Sequence, residues 1–522
     1  MTSHRAIARA GLVVSGAFLV SRVLGWVRYT VIGAGFEAPE LDAYFAAFRL
    51  PDFIFQLVAA GALSSSLIPV VAGLLAADER DRAWRVVSSV ANLMLIGLAI
   101  AAAVMFVLAP VIIPAITPGF TQAGWDRTVD LTRIMLLSPI FLALGSVATS
   151  LLNAEGRFAA SAVAPIVYNL AIIGGALILG PSLGVTGLAI SVVLGSLGHL
   201  LVQVPNILAA GYRHTRGVDL ADPAARKALT LMAPRAVGLG ATQITFLVVT
   251  SIATVLGTGA LTAFNFAFLL LQIPLGVIGV PLGVVVLPAL SREAATGRLD
   301  EFAGLVSRGA RLLLFVMLPI AGLGMVLRRE IVELLFGYGR FDAASVDLTA
   351  ATLLTFLVGL AAHALIAVLA RAFYARQDTA TPVAAAVASV LVNTTLSIAL
   401  AGPLGLPGIG LAIAIGAWFE AALLLGLLRR HVPQFSLWPI VLVAVRSLTA
   451  TAAMSAVAFA TLGGLRLIGS IEPGKVELLV RSAIVTGLGL AVYVLLAAAL
   501  RIPELPSIVG AMADLIRRPR RA

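Results

Sequence analysis

Long apolar runs follow one another almost without relief through this chain, at roughly 12–36, 43–75, 86–110, 129–151, 159–181, 185–211, 230–257, 260–290, 304–326, 346–370, 382–402, 407–428, 439–465 and 477–500. Each is long enough to cross a bilayer, which takes about 20 mostly apolar residues, or somewhat more in a tilted helix. Inside hydrocarbon every backbone N–H and C=O must find its partner within the protein, so only helices and closed barrels span it. A barrel would show alternating segments of about ten residues; these runs are continuous. The chain is therefore expected to be an all-α polytopic membrane protein of about 14 transmembrane helices. Composition agrees: 60% of residues are hydrophobic and only 12% charged, against about 25% charged in soluble domains.

The basic residues set an orientation. With Arg5 and Arg9 placed inside, the inner loops hold Arg80, Arg82 and Arg85; Arg157; Arg213, Arg216, Arg226 and Lys227; Arg292 and Arg298; Arg371 and Arg376; Arg429 and Arg430; and the tail Arg517, Arg518, Arg520 and Arg521. The outer loops hold fewer, and the first carries Glu37, Glu40 and Asp42. Both termini are expected to be cytoplasmic. The net charge of +11 is then a property of inner loops, and nucleic acid is not expected as a partner. The first run lacks a small-residue cleavage motif after a short apolar core, so no cleavable signal peptide is expected. The tail at 506–516 is too short to span and reads as an interfacial segment or a frayed end. With no cysteine in the chain, disulfides and thiol chemistry are excluded.

An internal repeat organises the runs. Gly187-Leu188-Ala189-Ile190 recurs as Gly410-Leu411-Ala412-Ile413 at an offset of 223, Asn169 as Asn393 at 224, and Pro69 as Pro288 at 219. Ala43-Tyr44-Phe45-Ala46-Ala47-Phe48 resembles Ala263-Phe264-Asn265-Phe266-Ala267-Phe268 at 220. Matches at one spacing and in order indicate a true repeat. The offset covers six spans, an even number, so the repeats run parallel. Two pseudo-symmetric six-helix lobes are expected at 1–222 and 223–432, then two extra helices at 433–500 and a basic cytoplasmic tail at 501–522.

Charge inside the membrane is where function is sought. Arg22 and Arg28 lie within the first run, several residues from either end. Each costs about 2.5–3.5 kcal/mol to insert, and snorkelling serves both at once poorly. They either line a polar cavity that takes an anion or pair with Asp42 or Asp52. Six residues apart, they point about 120° away from each other on an ideal helix and are separated by about 9 Å of rise; Gly25 between them could allow a bend. Arg49 opens the second span, where Pro51 is a candidate hinge or fixed kink, as are Pro274 and Pro281 in span 8. Asp42 is a candidate ligand contact, cap or gate. Under the repeat Arg49 aligns with Leu269, so the intramembrane positive charge is expected in the first lobe. Glu420 is the clear buried acid of the second lobe, a candidate for proton or cation coupling, while His199 and His363 read as bundle residues. No Walker motif, triad, carboxylate pair or histidine-rich metal site occurs; neither an enzyme nor direct ATP drive is expected.

Ser21-Arg22-Val23-Leu24-Gly25-Trp26-Val27-Arg28, Asp42-Ala43-Tyr44-Phe45 and Phe48-Arg49-Leu50-Pro51-Asp52 resemble the N-terminal signature of the MurJ/MviN family of lipid II flippases. Asn153-Ala154-Glu155-Gly156-Arg157-Phe158 with Ala164-Pro165 and Asn169 is similar to that family's fourth loop. Phe373-Tyr374-Ala375-Arg376-Gln377-Asp378 with Thr381-Pro382 and Asn393 is similar to its tenth. The resemblance runs over about 1–430. It implies a multidrug/oligosaccharidyl-lipid/polysaccharide exporter fold in the bacterial plasma membrane, with a cationic cavity and alternating access. The implied task is moving an undecaprenyl-pyrophosphate-linked peptidoglycan precursor to the outer leaflet for cell-wall synthesis. Implied substrate contacts are Arg22, Arg28, Arg49 and Asp42. The implied partners are the lipid-linked anion, membrane lipids and, as candidates, cell-wall synthesis proteins. No cofactor is expected; Na+ or H+ coupling or the membrane potential are the candidate energy sources, and Glu420, Asn393 and Gln243 the candidate coupling residues.

The pattern departs from the family at Phe55, Gln56 and Ala60, where an Arg pair and a Glu are frequent; at Leu269, where many members have Arg; and at Tyr29, where Asp is frequent. The expected cavity is thus less cationic. Other readings remain open: a flippase for another polyprenyl-pyrophosphate-linked glycan, a small-molecule antiporter of the same superfamily, or a transport-dead scaffold.

Overall fold

The computed structural model describes residues 4–57, 62–468, 470 and 474–517, with side chains left out of the description at 4–15, 62–66, 231–242 and 511–517. Arg5, Arg9, Ala60 and the tail arginines Arg517, Arg518, Arg520 and Arg521 lie outside the described side chains. Among the described residues the fold is helical, without strands. Among the described residues, eleven helices are long and apolar enough to cross a membrane. A twelfth span is the pair Ala343–Val358 and Leu360–Ala375, bent by 44° about Gly359. Of the two further expected spans, span 2 is interrupted at 58–61, outside the description, and span 7 lies in the helix Pro223–Val255; their apolar parts with described side chains, Leu67–Ala76 and Gln243–Val255, are shorter than a crossing. Val107, Val111, Ile178, Val285 and Leu495 are each at least 69% exposed, the surface a lipid solvent requires.

Prolines mark where these helices depart from regular bonding. In span 8, Pro274 closes the helix Ala260–Pro274, and Pro281 sits in the first turn of Val280–Ala295. Between them Leu275–Gly279 winds as a π-helical turn. Proline lacks an N–H and clashes with the preceding turn, so the ladder there widens instead of continuing. Pro51 is buried inside the helix Ala38–Phe55.

The chain divides into two compact units, Met1–Thr262 with Tyr338–Asp342, and Ala263–Gly337 with Ala343–Ala522. The packing boundary falls one helix later than the repeat boundary because span 7, the helix Pro223–Val255, lies against the helices of spans 2 and 3. The core of the first unit includes Ile54, Leu67, Val71, Trp84, Val87, Leu151 and Ile207. Its inner loop at 212–222 is tied along the start of span 3. Asn92 Nδ2 donates to the carbonyls of Thr215 (2.8 Å) and Gly217 (3.0 Å), and Thr215 N–H donates to Ser88 Oγ at 3.1 Å. Arg82 forms a two-pronged pair with Asp222 at 2.8 and 3.0 Å, and Asp222 in turn caps the span 7 helix through Ala224 N–H.

In the second unit Phe264 and Phe268 stack, Phe356 meets both edge-on, and Phe266 meets Phe336 edge-on. The two extra helices, Trp438–Ile468 and Lys475–Ala499, pack through Ala450, Met454, Ala458 and Val485 on Phe315 and Leu323 of span 9. Tyr493 donates to the Phe315 carbonyl at 2.6 Å. Lys475 caps the short helix Arg328–Phe336, reaching the carbonyls of Glu333 and Gly337, each at 2.7 Å. This is the cationic cap that a helix C-terminus favours. Past span 14 the helix Glu504–Arg517 is anchored by an ion pair between Glu504 and Arg311 at 3.1 Å and by Leu505 and Ile508 on the core.

Candidate functional site

The first helix, His4–Gly35, runs through Gly25 without a break, and a side chain at Gly25 would meet nothing within 4 Å. Packing therefore imposes no bend there, and the two arginines of this helix have different surroundings. Arg22 is exposed, its guanidinium 5.0 Å above the ring of Phe18 one turn earlier. Arg28 is partly buried against span 5, with its guanidinium 5.4 Å from the ring of Tyr29 and 5.9 Å from that of Tyr168. It hydrogen-bonds the Tyr29 hydroxyl, and Tyr44 stands close by. Spans 1 and 5 are also joined where Asn169 Nδ2 donates to the Ser21 carbonyl at 3.4 Å. Neither Arg22 nor Arg28 makes an ion pair among the described residues.

The chain holds seven tyrosines, and three of them surround Arg28. Tyr29 and Tyr44 are near Arg28 in sequence, but Tyr168 reaches it only through the packing of spans 1 and 5. Ring faces attract a guanidinium by about 0.5–2 kcal/mol, more where water is excluded, yet they leave its charge uncompensated. Tyr29 matters most: it stands where a carboxylate next to Arg28 would have neutralised the site.

Arg49 differs. Its Nε donates to Thr250 Oγ1 at 2.8 Å, its guanidinium lies 5.2 Å from the Phe246 ring, and it interacts with Asp52 and Tyr29. Asp52 accepts from Gln56 Nε2 at 3.4 Å and from Gln243. Arg28, Tyr29, Arg49, Asp52, Gln243 and Tyr168 thus form one polar cluster within the first unit. Of the positions where charge was missing from the family pattern, Gln56 belongs to this cluster through Asp52. Phe55 packs on the first unit's core and Leu269 is a half-buried residue of the second unit.

Asp42 belongs to neither arginine. It is 3% exposed, and its oxygens accept from Gly259 N–H (2.6 Å), Thr262 N–H (2.8 Å) and Thr262 Oγ1 (2.7 Å). These donors begin the helix Ala260–Pro274. Asp42 therefore caps that helix from 217–220 residues away, where the positive end of the helix dipole also favours a carboxylate. Its geometry is that of a cap. Beside it opens a cavity of about 210 Å³ bounded by Gly119, Thr254 and Gly257. The outer end of the same unit is closed by further pairs. Arg340 N–H donates to the Ala34 carbonyl at 3.0 Å, and its guanidinium pairs with Glu37 at 3.3 Å. Gly339 (φ +58°) sits directly on the Ala34 carbonyl, where a side chain would collide; glycine alone suits that approach.

The candidate coupling residues are divided between the units. Glu420 of span 12 lies within hydrogen-bond reach of Ser389, whose hydroxyl donates to the Gly416 carbonyl at 2.8 Å. Asn393 is buried one turn further along span 11, so Glu420, Ser389 and Asn393 share the contact between spans 11 and 12. Gln243 is instead in the first unit, on Asp52. Among the described residues His199 Nδ1 and His363 Nε2 are buried without hydrogen-bond partners. Among the described residues no group of three or more His, Cys, Asp or Glu could hold a metal ion.

A model of the family described as "Lipid II flippase MurJ" matches residues 30–466, a stretch that begins just after Arg28. The "Lipid II flippase MurJ" of Burkholderia cenocepacia is 33% identical over 437 residues, which cover 82% of this chain and 84% of that one. The "Probable lipid II flippase MurJ" of Vibrio cholerae is also 33% identical, covering 81% and 83%. Among solved structures, one described as "Lipid II flippase MurJ, inward closed conformation" superposes with a TM-score of 0.77 at 21% identity, over 97% of this chain and 100% of that one. At that identity the likeness speaks for the fold.

Proposed function

The chain belongs to the MurJ family of lipid II flippases, and from that membership and the first unit's geometry we propose how it handles its substrate. It is a multi-pass membrane transporter, not an enzyme. It carries lipid II from the cytoplasmic to the outer leaflet by alternating access, supplying cell-wall synthesis.

One observation carries the chemistry: among the described residues, Arg28 is held by three tyrosines and by no carboxylate. A diphosphate brings two or more negative charges, and a guanidinium binds such oxygens in a fork while keeping its charge when partly desolvated. Arg28 takes the diphosphate, Arg49 orients it from the next helix, and Arg22 guides it from the exposed face of the same helix. Asp42 holds the start of span 8 in place and stays off the ligand. Both termini lie on the cytoplasmic side, as the basic loops require. Coupling runs either through Glu420 with Asn393 or through the membrane potential acting on the bound charge, and cell-wall synthesis proteins are the candidate partners.

The test is complementation of a strain depleted of its lipid II flippase by Arg22→Ala, Arg28→Ala and Arg49→Ala, with protein levels matched. Loss of growth with Arg28→Ala is expected. Full growth with all three would reject the cationic site. Failure of the unaltered chain to complement would favour another polyprenyl-diphosphate glycan as cargo.

A further inference from the structure

The sequence places Arg371 in a cytoplasmic loop and leaves the second lobe without an intramembrane cation. The structure moves the helix boundary. The second helix of span 10 runs from Leu360 to Ala375, past Arg371. The side chain does not extend toward the nearby helix end, as an arginine snorkelling to headgroups would. It turns back along its own helix, and Nη1 donates to the Ala367 carbonyl one turn earlier at 2.5 Å. Side chains on a helix lean toward its N-terminus, which here means away from the cytoplasmic end and into the bilayer.

Span 8 has made room for it. At Gly283 an added side-chain carbon would lie 2.5 Å from Arg371 Nη1, 2.9 Å from its Cζ and 2.9 Å from the Ala367 carbonyl. The guanidinium thus lies across the bare backbone of the helix Val280–Ala295, beyond the π-helical turn. It is half-buried and makes no ion pair among the described residues. Of the acids on the helices packed against it, Glu293 and Glu301 both pair with Arg298, at 2.8 and 3.1 Å, Asp300 is exposed in the first turn of its helix, and Glu420 lies against Ser389 of span 11. A guanidinium has five N–H donors, and one carbonyl occupies only part of them. An inward-turned cation with spare donors and no counter-ion is built for an anion.

We propose that Arg371 is a substrate-binding residue of the second unit, which takes phosphate oxygens of the transported diphosphate. This rests on the reading of the cargo given above. Gly283 is the positioning residue that lets the guanidinium lie inward.

The absence of cysteine from the chain makes the test direct. Arg371→Cys, in membrane vesicles, is expected to react with a hydrophilic maleimide and to be protected by added lipid II. Leu391→Cys, at a position 64% exposed on span 11, serves as the lipid-facing control and is expected to stay unlabelled. In purified protein, Arg371→Ala is expected to weaken lipid II binding about ten- to hundredfold, the range of a lost charged hydrogen bond. Arg371→Lys is expected to lose less, and Gly283→Val to weaken binding while Arg371 itself is intact. An Arg371→Cys protein as unreactive as the Leu391→Cys control, or unchanged binding in Arg371→Ala, overturns the proposal. If Arg28→Ala weakens binding and Arg371→Ala does not, only the role of Arg371 falls. If neither does, the diphosphate reading falls with it.

Discussion

The outer end of the first unit and the surroundings of Arg28 in its interior treat buried charge in opposite ways. At the outer end every charge described is answered: Asp42 by three donors at the start of span 8, and Arg340 by Glu37 with Glu40 beyond it. In the interior, Arg28 is answered only by rings and a phenol hydroxyl. Satisfied charges fix a structure, because removing one partner strands the other. An unsatisfied one contributes little to folding and waits for a ligand. On the proposed reading, the contrast separates positions that hold the carrier together from positions that hold its cargo.

The largest effect is expected where the contrast is sharpest. Arg28→Ala should lower flipping in reconstituted vesicles by at least about a hundredfold, since it removes a forked ion pair of roughly twice the strength of a neutral hydrogen bond. Its melting temperature should stay within a few degrees of the parent. Asp42→Ala should do the reverse. It strands buried donors at a helix start, for about 1–3 kcal/mol, so thermal melting falls and activity drops only in step with folded protein. An Asp42→Ala protein that melts normally yet fails to bind lipid II would erase the distinction.

Next comes Tyr168→Leu, which removes one ring from beside Arg28. A loss of about 0.5–2 kcal/mol should appear as a several-fold weaker affinity for lipid II with the maximal flipping rate retained. The smallest effect concerns the inner loop. The hydrogen-bonded Arg82 guanidinium holds the Asp222 carboxyl below its usual range. A lowered carboxyl stabilises the fold at pH values above its unfolded value, near 4, and this contribution fades only as pH falls through the lowered one. Melting of the parent and of Asp222→Asn should therefore differ by a constant amount from pH 5 to 8 and converge below about pH 4.

How much of this was legible follows from the range of each signal. The spans were, because hydrocarbon demands helices and apolar runs announce them. Arg22, Arg28 and Arg49 were, because a charge inside such a run stands out by itself. The tyrosines were not recognised, since Tyr168 reaches Arg28 only through the packing of spans 1 and 5, and nothing local distinguishes a tyrosine that faces a guanidinium. The capping role of Asp42 depended on donors more than two hundred residues away, although Thr262 is the residue that the 220-residue repeat pairs with it. Arg371 was misplaced for a different reason. Helix ends are the least certain feature of a sequence reading, and a boundary set a few residues early leaves in a loop an arginine that belongs to the helix Leu360–Ala375.

The tyrosines around Arg28 also bear on the return journey. Because they attract its charge without cancelling it, the unloaded binding site travels as a cation. In a membrane held negative inside, each such charge gains up to about 2.3 kcal/mol per 100 mV on crossing inward. On the proposed reading of Arg28, voltage then favours return of the vacant carrier to the leaflet where new cargo is made.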